Sequence, residues 1–139
     1  MQRQIEMVAE ATGDDDWMTI VSALELQPVL RRVCGEIAYG TQRSVDLALA
    51  LLGRPKVVLL DEPCAGLVAD ESRQLLDHVR TLSRERSVAV LLVEHDVDGV
   101  FRTCDRITVI DLGCKLVCGD PADVRKDSRV ITAYLGSEA

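Results

Sequence analysis

The sequence predicts an α/β fold in which a parallel sheet is flanked by helices, and three observations predict it. Val57-Val58-Leu59-Leu60 and Val88 to Val93 are continuous apolar runs without alternation, which suits strands buried on both faces. Between them, Leu75, Leu76, Val79 and Leu82 recur at helical spacing. Strand, helix and strand of these lengths form a right-handed βαβ unit, which sets the strands parallel with their carboxyl ends on one edge of the sheet.

The chain has 139 residues, the size of one domain and enough to bury a core. Hydrophobic residues make up 47% and charged residues 28%, a globular composition, and no apolar run approaches the length of a membrane-spanning helix. Met1-Gln2-Arg3-Gln4 leads into Glu6 and Glu10 rather than an apolar leader, so the expected location is the cytoplasm. A net charge of −7 without clustered Lys and Arg argues against a nucleic-acid surface. It does not bar nucleotides, which backbone amides and a metal ion can bind. The five cysteines are scattered and read as reduced thiols. Cys114 and Cys118 read as apolar filler, because His78 and His95 lack the spacing of a zinc finger.

Residues 1 to about 36 are helical and weakly patterned, with Ile5, Val8 and Ala9 as a stripe before the break at Gly13-Asp14-Asp15-Asp16. The three acids read as a solvated loop whose last Asp caps a helix from Trp17 through Leu24. Breaks at Gln27-Pro28 and Cys34-Gly35 lead to Ile37-Ala38-Tyr39-Gly40-Thr41-Gln42-Arg43 and a helix to about Leu52, with Val45, Ala48, Leu49 and Leu52 on one face. A helix start after a glycine is a ready anion site, so Gly40, Thr41 and Gln42 are candidates to face a phosphate, against the alternative of an ordinary loop-to-helix junction. Gly53-Arg54-Pro55-Lys56 ends that helix and the first strand follows.

That strand runs into Asp61 and Glu62, with Pro63 behind them. Open α/β sheets bind ligands beyond the carboxyl ends of their strands, so the two acids stand at the mouth of a crevice. In a phosphoryl-transfer site one such carboxylate holds Mg²⁺, directly or through water, and the other orients the attacking water. The competing reading is a solvated strand end that happens to carry acids. Cys64 to Ala69 form a turn, and Asp70 caps a helix through Arg84, with His78 off its apolar stripe and on the surface. The second strand ends in Glu94-His95-Asp96, which brings His95 toward Asp61 and Glu62. A short helix around Val97 to Arg102 follows. Ile107 to Ile110 and Lys115 to Cys118 then make a hairpin about Asp111-Leu112-Gly113, where Gly113 suits a positive φ. Asp120-Pro121 opens a small helix, and Arg129 to Leu135 form one or two last turns.

Ile37 to Arg43, Val57 to Pro63, Ala65-Gly66-Leu67 and His95, in this order and spacing, resemble the second half of an ABC transporter ATP-binding subunit over residues 30 to 136. The Tyr39-Gly40 pair and the ending Arg129-Val130-Ile131-Thr132-Ala133-Tyr134-Leu135-Gly136 are similar to the branched-chain amino-acid importer branch. The resemblance implies a partial P-loop NTPase fold with a C-terminal hairpin, in one incomplete ATP-binding domain. Residues 1–53 would be a remnant of the helical subdomain, and 54–139 the Walker B strand, D-loop, switch-histidine strand and hairpin.

It also implies roles. Asp61 would serve Mg²⁺ through water, Glu62 would be the catalytic base, and His95 would contact the γ-phosphate of ATP. Ile37 to Thr41 would be the signature and Ala65-Gly66-Leu67 the D-loop, with Tyr39, Gly40, Thr41 and Gln42 binding the ATP held by a second ATP-binding subunit. Membrane-spanning permease subunits would hold the pair on the inner face of the cell membrane. Ala38 stands where the general signature has Ser, and Val68 where the D-loop usually offers Asp or Asn.

The phosphate-cradling loop G-x-x-x-x-G-K-[ST] does not occur in these residues, because Thr41 and Gln42 follow the Gly35 and Gly40 pair that has the glycine spacing. The chain is therefore read as a C-terminal portion whose sheet keeps an open edge and which alone binds MgATP poorly or not at all. Three readings follow, in order: an importer ATPase component completed elsewhere, a non-catalytic module that docks on a full-length ATPase, and a thiol or metal-binding protein.

Overall fold

A computed structural model describes residues 1–135, with Leu135 described by its backbone alone; Gly136, part of the ending singled out above, lies outside them. The chain divides into two compact units, Met1–Glu94 and His95–Ala139.

In the first unit, α1 (Gln2–Thr12) buries Ile5 and Ala9 and stops at Gly13 in the left-handed conformation, φ 68°. After α2 (Trp17–Ala23) come 3₁₀ turns at Gln27–Val29 and Cys34–Glu36, where the proline and glycine breaks lay in the sequence. Then follow α3 (Tyr39–Leu51), β1 (Val57–Asp61), α4 (Ala69–Glu85) and β2 (Ala89–Val93). β1 and β2 pair in parallel, Val57 opposite Ala89, Leu59 opposite Leu91 and Asp61 opposite Val93. The predicted α4 stripe of Leu75, Leu76, Val79 and Leu82 is buried throughout. It packs in one core with Val58, with Val45, Ala48 and Leu51 of α3, and with Ile20, Val21 and Leu26.

The strands are not buried on both faces. Val58, Leu60, Val90 and Leu92 turn to the core, whereas Val57, Leu59, Leu91 and Val93 on the other face are 55%, 71%, 60% and 52% exposed. Continuous apolar runs record two apolar faces, and the elements of this unit cover one of them.

The acidic loop also departs from expectation. Asp14 is buried: its Oδ2 accepts from Gly53 N at 3.0 Å and from Arg86 Nη2 at 2.5 Å, while the Arg86 side chain is 8% exposed. One carboxylate thus ties the α1–α2 loop to the residues just past the ends of α3 and α4. Asp16 accepts the Thr19 hydroxyl and makes no bond to the backbone of α2, so it is not the predicted side-chain cap. Nor does Asp70 cap α4, which begins a residue earlier behind Val68; Asp70 pairs with Arg73 at 3.5 Å on its first turn. His78 is half-buried, its Nδ1 without a hydrogen-bond partner.

In the second unit, α5 (Val97–Thr103) is capped by Asp96, whose carboxylate accepts from Gly99 N at 3.2 Å. β3 (Ile107–Asp111) and β4 (Cys114–Gly119) form the predicted hairpin about Leu112 and Gly113, at φ 47° and 78°. Two consecutive positive φ values fit the tight turn that the twist of a hairpin favours. α6 (Pro121–Val124) starts behind Asp120, and α7 (Ser128–Val130) continues into a π turn at Ile131–Leu135. Ile107, Val124 and Val130 are its buried core, with Phe101 and Val117 against them.

Cys114 and Cys118 are exposed on the hairpin and are not apolar filler. The Thr108 hydroxyl donates to Cys118 Sγ at 3.2 Å and Arg106 Nε donates at 3.4 Å. These two bonds, the hydroxyl first, hold the thiol below its ordinary range.

Two outcomes follow. Asp14→Ala leaves the buried Arg86 only the half-exposed Asp16, whose Oδ2 lies 3.7 Å from Nη1, so urea unfolding should show a loss of about 3 kcal/mol. Because a lowered thiol pKa places the reactive thiolate at lower pH, alkylation of Cys118 followed by mass spectrometry should rise at lower pH than that of a free cysteine, and Thr108→Val should move the profile upward.

Candidate functional site

Asp61 ends β1 and Glu62 follows it, both exposed at the carboxyl end of the strand. Glu62 has φ 44°, a left-handed backbone that is uncommon for a residue with a side chain. Its N–H donates to Val93 O at 2.8 Å and its carbonyl accepts from Ala65 N at 3.0 Å. Cys64 N donates to Glu94 Oε1 at 2.8 Å. The turn after the two acids is therefore fastened to the end of β2 on both sides of Pro63, which has no N–H to offer.

The start of α3 belongs to the same unit. Tyr39 OH donates to Ala65 O at 3.3 Å, and a Cβ built on Gly66 would lie 3.2 Å from Tyr39 Cε1. Gly66, at φ 80°, is thus fitted to the ring by both conformation and space. Arg43 lies over the Tyr39 ring, 4.9 Å from its centroid, and donates to the phenol oxygen. A groove of about 250 Å³ runs beside this contact, with Asp61, Pro63, Leu59, Arg43 and Asp46 in its wall.

The N–H groups of Tyr39, Gly40 and Thr41 start the helix and have no partner within it. Gln42 differs from its predicted part: its N–H closes on Ala38 O at 3.0 Å and its Nε2 donates to Ile37 O at 3.0 Å. The available amides begin one residue earlier than the sequence suggested. A Cβ on Gly40 would stand 2.9 Å from Glu71 Oε1, so only a glycine admits that carboxylate here without a shift.

His95 is exposed and opens the second unit, one residue before the Asp96 cap of α5. Among the described residues no group of three or more His, Cys, Asp or Glu could hold a metal ion, so a zinc site built on the cysteines has no geometric basis there. A single exposed Asp61 carboxylate does fit Mg²⁺, which accepts one or two carboxylates and takes its other ligands from water and phosphate.

Sequence reasoning missed Glu94, Glu71 and Arg43. Each acts on backbone or on a ring rather than on substrate, and the one available signal was a carboxylate directly after an apolar strand, at Glu94.

The family model "ABC transporter" matches residues 1–65, and "Branched-chain amino acid ATP-binding cassette transporter" matches residues 114–139. The chain is 39% identical over 120 residues to the high-affinity branched-chain amino acid transport ATP-binding protein BraF of Pseudomonas aeruginosa, covering 86% of this chain and 46% of that protein. To LivG of Salmonella typhimurium it is 35% identical with the same coverage. A solved ATP-binding cassette of an ABC transporter in its ADP conformation superposes with a TM-score of 0.75 at 27% identity, over 88% of this chain and 50% of that one. A nucleotide-free cassette gives 0.73 at 26% identity, over 87% and 49%.

The chain is therefore similar to the ABC transporter ATP-binding family at both of its ends and has part of that family's P-loop NTPase fold. Of that family's members it is similar to the ATP-binding components of branched-chain amino-acid importers, and it spans about half the length of the curated relatives it matches.

Val68 precedes α4 in extended conformation, φ −75° and ψ 160°, and a valine offers no acceptor to the first turn. Glu71 Oε2 accepts from Val68 N at 3.3 Å, which is half of a capping box. Val68→Asn should supply the other half and raise stability by about 1 kcal/mol, read as a higher urea midpoint at unchanged m.

Proposed function

We propose that this chain is the part of an ABC-type ATPase that carries out hydrolysis and drives import of branched-chain amino acids. The observation that carries the reading is the placement of Asp61 and Glu62 beside the start of α3, joined through Ala65, Gly66 and Tyr39. A strand-end carboxylate pair and an open helix N-terminus on one unit are the parts phosphoryl transfer needs.

In this reading Asp61 would hold Mg²⁺ through water, and the bound ion would supply neutralisation of phosphate charge. Glu62 accepts a proton from the attacking water, and His95 hydrogen-bonds the γ-phosphate. The amides of Tyr39, Gly40 and Thr41 face the phosphate of an ATP held by a second ATP-binding subunit. Permease subunits keep the pair on the cytoplasmic face of the membrane; among the described residues no helix is long and apolar enough to cross it.

The sequence contains no G-x-x-x-x-G-K-[ST], and the relatives have as much chain again. A further stretch of cassette, covering Val57, Leu59, Leu91 and Val93, supplies the phosphate grip in this proposal. The same exposed face favours a second reading, a non-catalytic module that docks on a full-length ATPase and offers its α3 start in trans.

Calorimetry on the 139-residue chain should show no MgATP binding. Co-expression with the amino-terminal half of a BraF-type cassette should give ATPase activity that Glu62→Gln lowers at least ~100-fold. Tight binding by the chain alone, or activity indifferent to Glu62→Gln, overturns the hydrolytic reading; co-purification with an intact ATPase whose turnover ignores Glu62→Gln favours the second.

A further inference from the structure

Glu62 sits where its own backbone does not want to be. At φ 44° a residue with a Cβ is strained relative to a right-handed conformation, and such a conformation persists only when its surroundings fix it. The bonds of the turn show what fixes it. Ahead of Pro63, Glu62 N is held by Val93 O at 2.8 Å, an extension of the parallel ladder. Pro63 offers no donor, so the next N–H along the chain is that of Cys64. By then the chain has left the ladder, and the acceptor that meets it is Glu94 Oε1, at 2.8 Å. A carboxylate bonded to a backbone N–H is roughly twice as strong as a neutral hydrogen bond. Glu94 is also half-buried, which shields the bond from water.

We propose that Glu94 is a positioning residue: its carboxylate clamps Cys64 N–H and thereby holds Glu62 in the left-handed conformation that aims it at the attacking water. This rests on the reading of Glu62 as the base, whereas the clamp is a property of the turn and is measured separately. Glutamine retains an acceptor oxygen at the same reach without the charge, aspartate is one methylene short, and alanine has no acceptor. The expected order of clamping is Glu, then Gln, then Asp and Ala together.

The clamp is read by ¹⁵N–¹H spectroscopy on the full chain. In the wild type the Cys64 amide proton should resonate downfield, as a charge-assisted bond requires, and should move upfield in Glu94→Gln and further in Glu94→Ala. Amide exchange at Cys64 and Glu62 should accelerate at least tenfold in Glu94→Ala and less in Glu94→Gln, with the amides of α1 and α4 unchanged. A Cys64 amide resonance unmoved in Glu94→Ala, or acceleration spread evenly over the unit, overturns the clamp and makes Glu94 an ordinary stabilising residue.

The catalytic consequence is read in the chain co-expressed with the amino-terminal cassette half. There, Glu94→Ala should lower kcat at least tenfold with KM for ATP within twofold, and Glu94→Gln should recover part of the loss. An unchanged kcat in Glu94→Ala overturns the positioning role. If instead Glu62→Gln has no effect while the Cys64 amide responds to Glu94→Ala, the base assignment fails and the clamp stands.

Discussion

The parallel pairing of β1 with β2 is the constraint on which the first unit depends. Register sets Asp61 opposite Val93, so the residues just beyond them, Glu62 on one strand and Glu94 on the other, emerge at one edge. An antiparallel pair would send the ends of the two strands to opposite edges. Because the strands are parallel, β2 can extend the ladder to Glu62 and then meet Cys64 with a side chain. A crossover helix is the requirement for such pairing. α4 fulfils it with an apolar stripe that covers one face of the sheet and leaves the other to solvent.

The remaining helices are arranged by a polar contact as much as by apolar burial. Asp14 takes bonds from Gly53 and Arg86, so one buried carboxylate fixes where α3 and α4 end relative to the α1–α2 loop. Fixing the end of α3 also limits where its start lies, and that start carries Tyr39 against Ala65 and Gly66. A bond at one end of the helices is in this way coupled to the geometry of the turn at the other.

Much of this was legible because local pattern and tertiary demand agree. The βαβ unit follows from two apolar runs and one helical stripe, and the hairpin from a glycine between two strand-like segments. Asp61 and Glu62 were legible by residue type at a strand end, and the order of motifs around them led to the family. What was hidden depends on distant partners. Three successive aspartates look solvated, and nothing near them announces an arginine 72 residues away. An apolar run looks the same whether one face or both are covered, so the exposure of Leu59 and Leu91 could not be read from it. The Cys64 bond escaped notice because Glu94 acts on a backbone amide, which leaves no pattern in side-chain types.

The departure at Val68 has a structural consequence that its position alone does not suggest. With no acceptor at the start of α4, the Glu71 carboxylate provides the side-chain bond there, through Val68 N. That carboxylate also lies against Gly40, close enough that any Cβ at position 40 would push it away. Glycine at the head of α3 thus leaves backbone amides accessible and admits the group that secures the neighbouring helix. A carboxylate beside an open helix N-terminus also offsets part of its positive potential. The starts of α3 and α4 thus share one side chain, and a change at either Gly40 or Val68 acts on the other through Glu71.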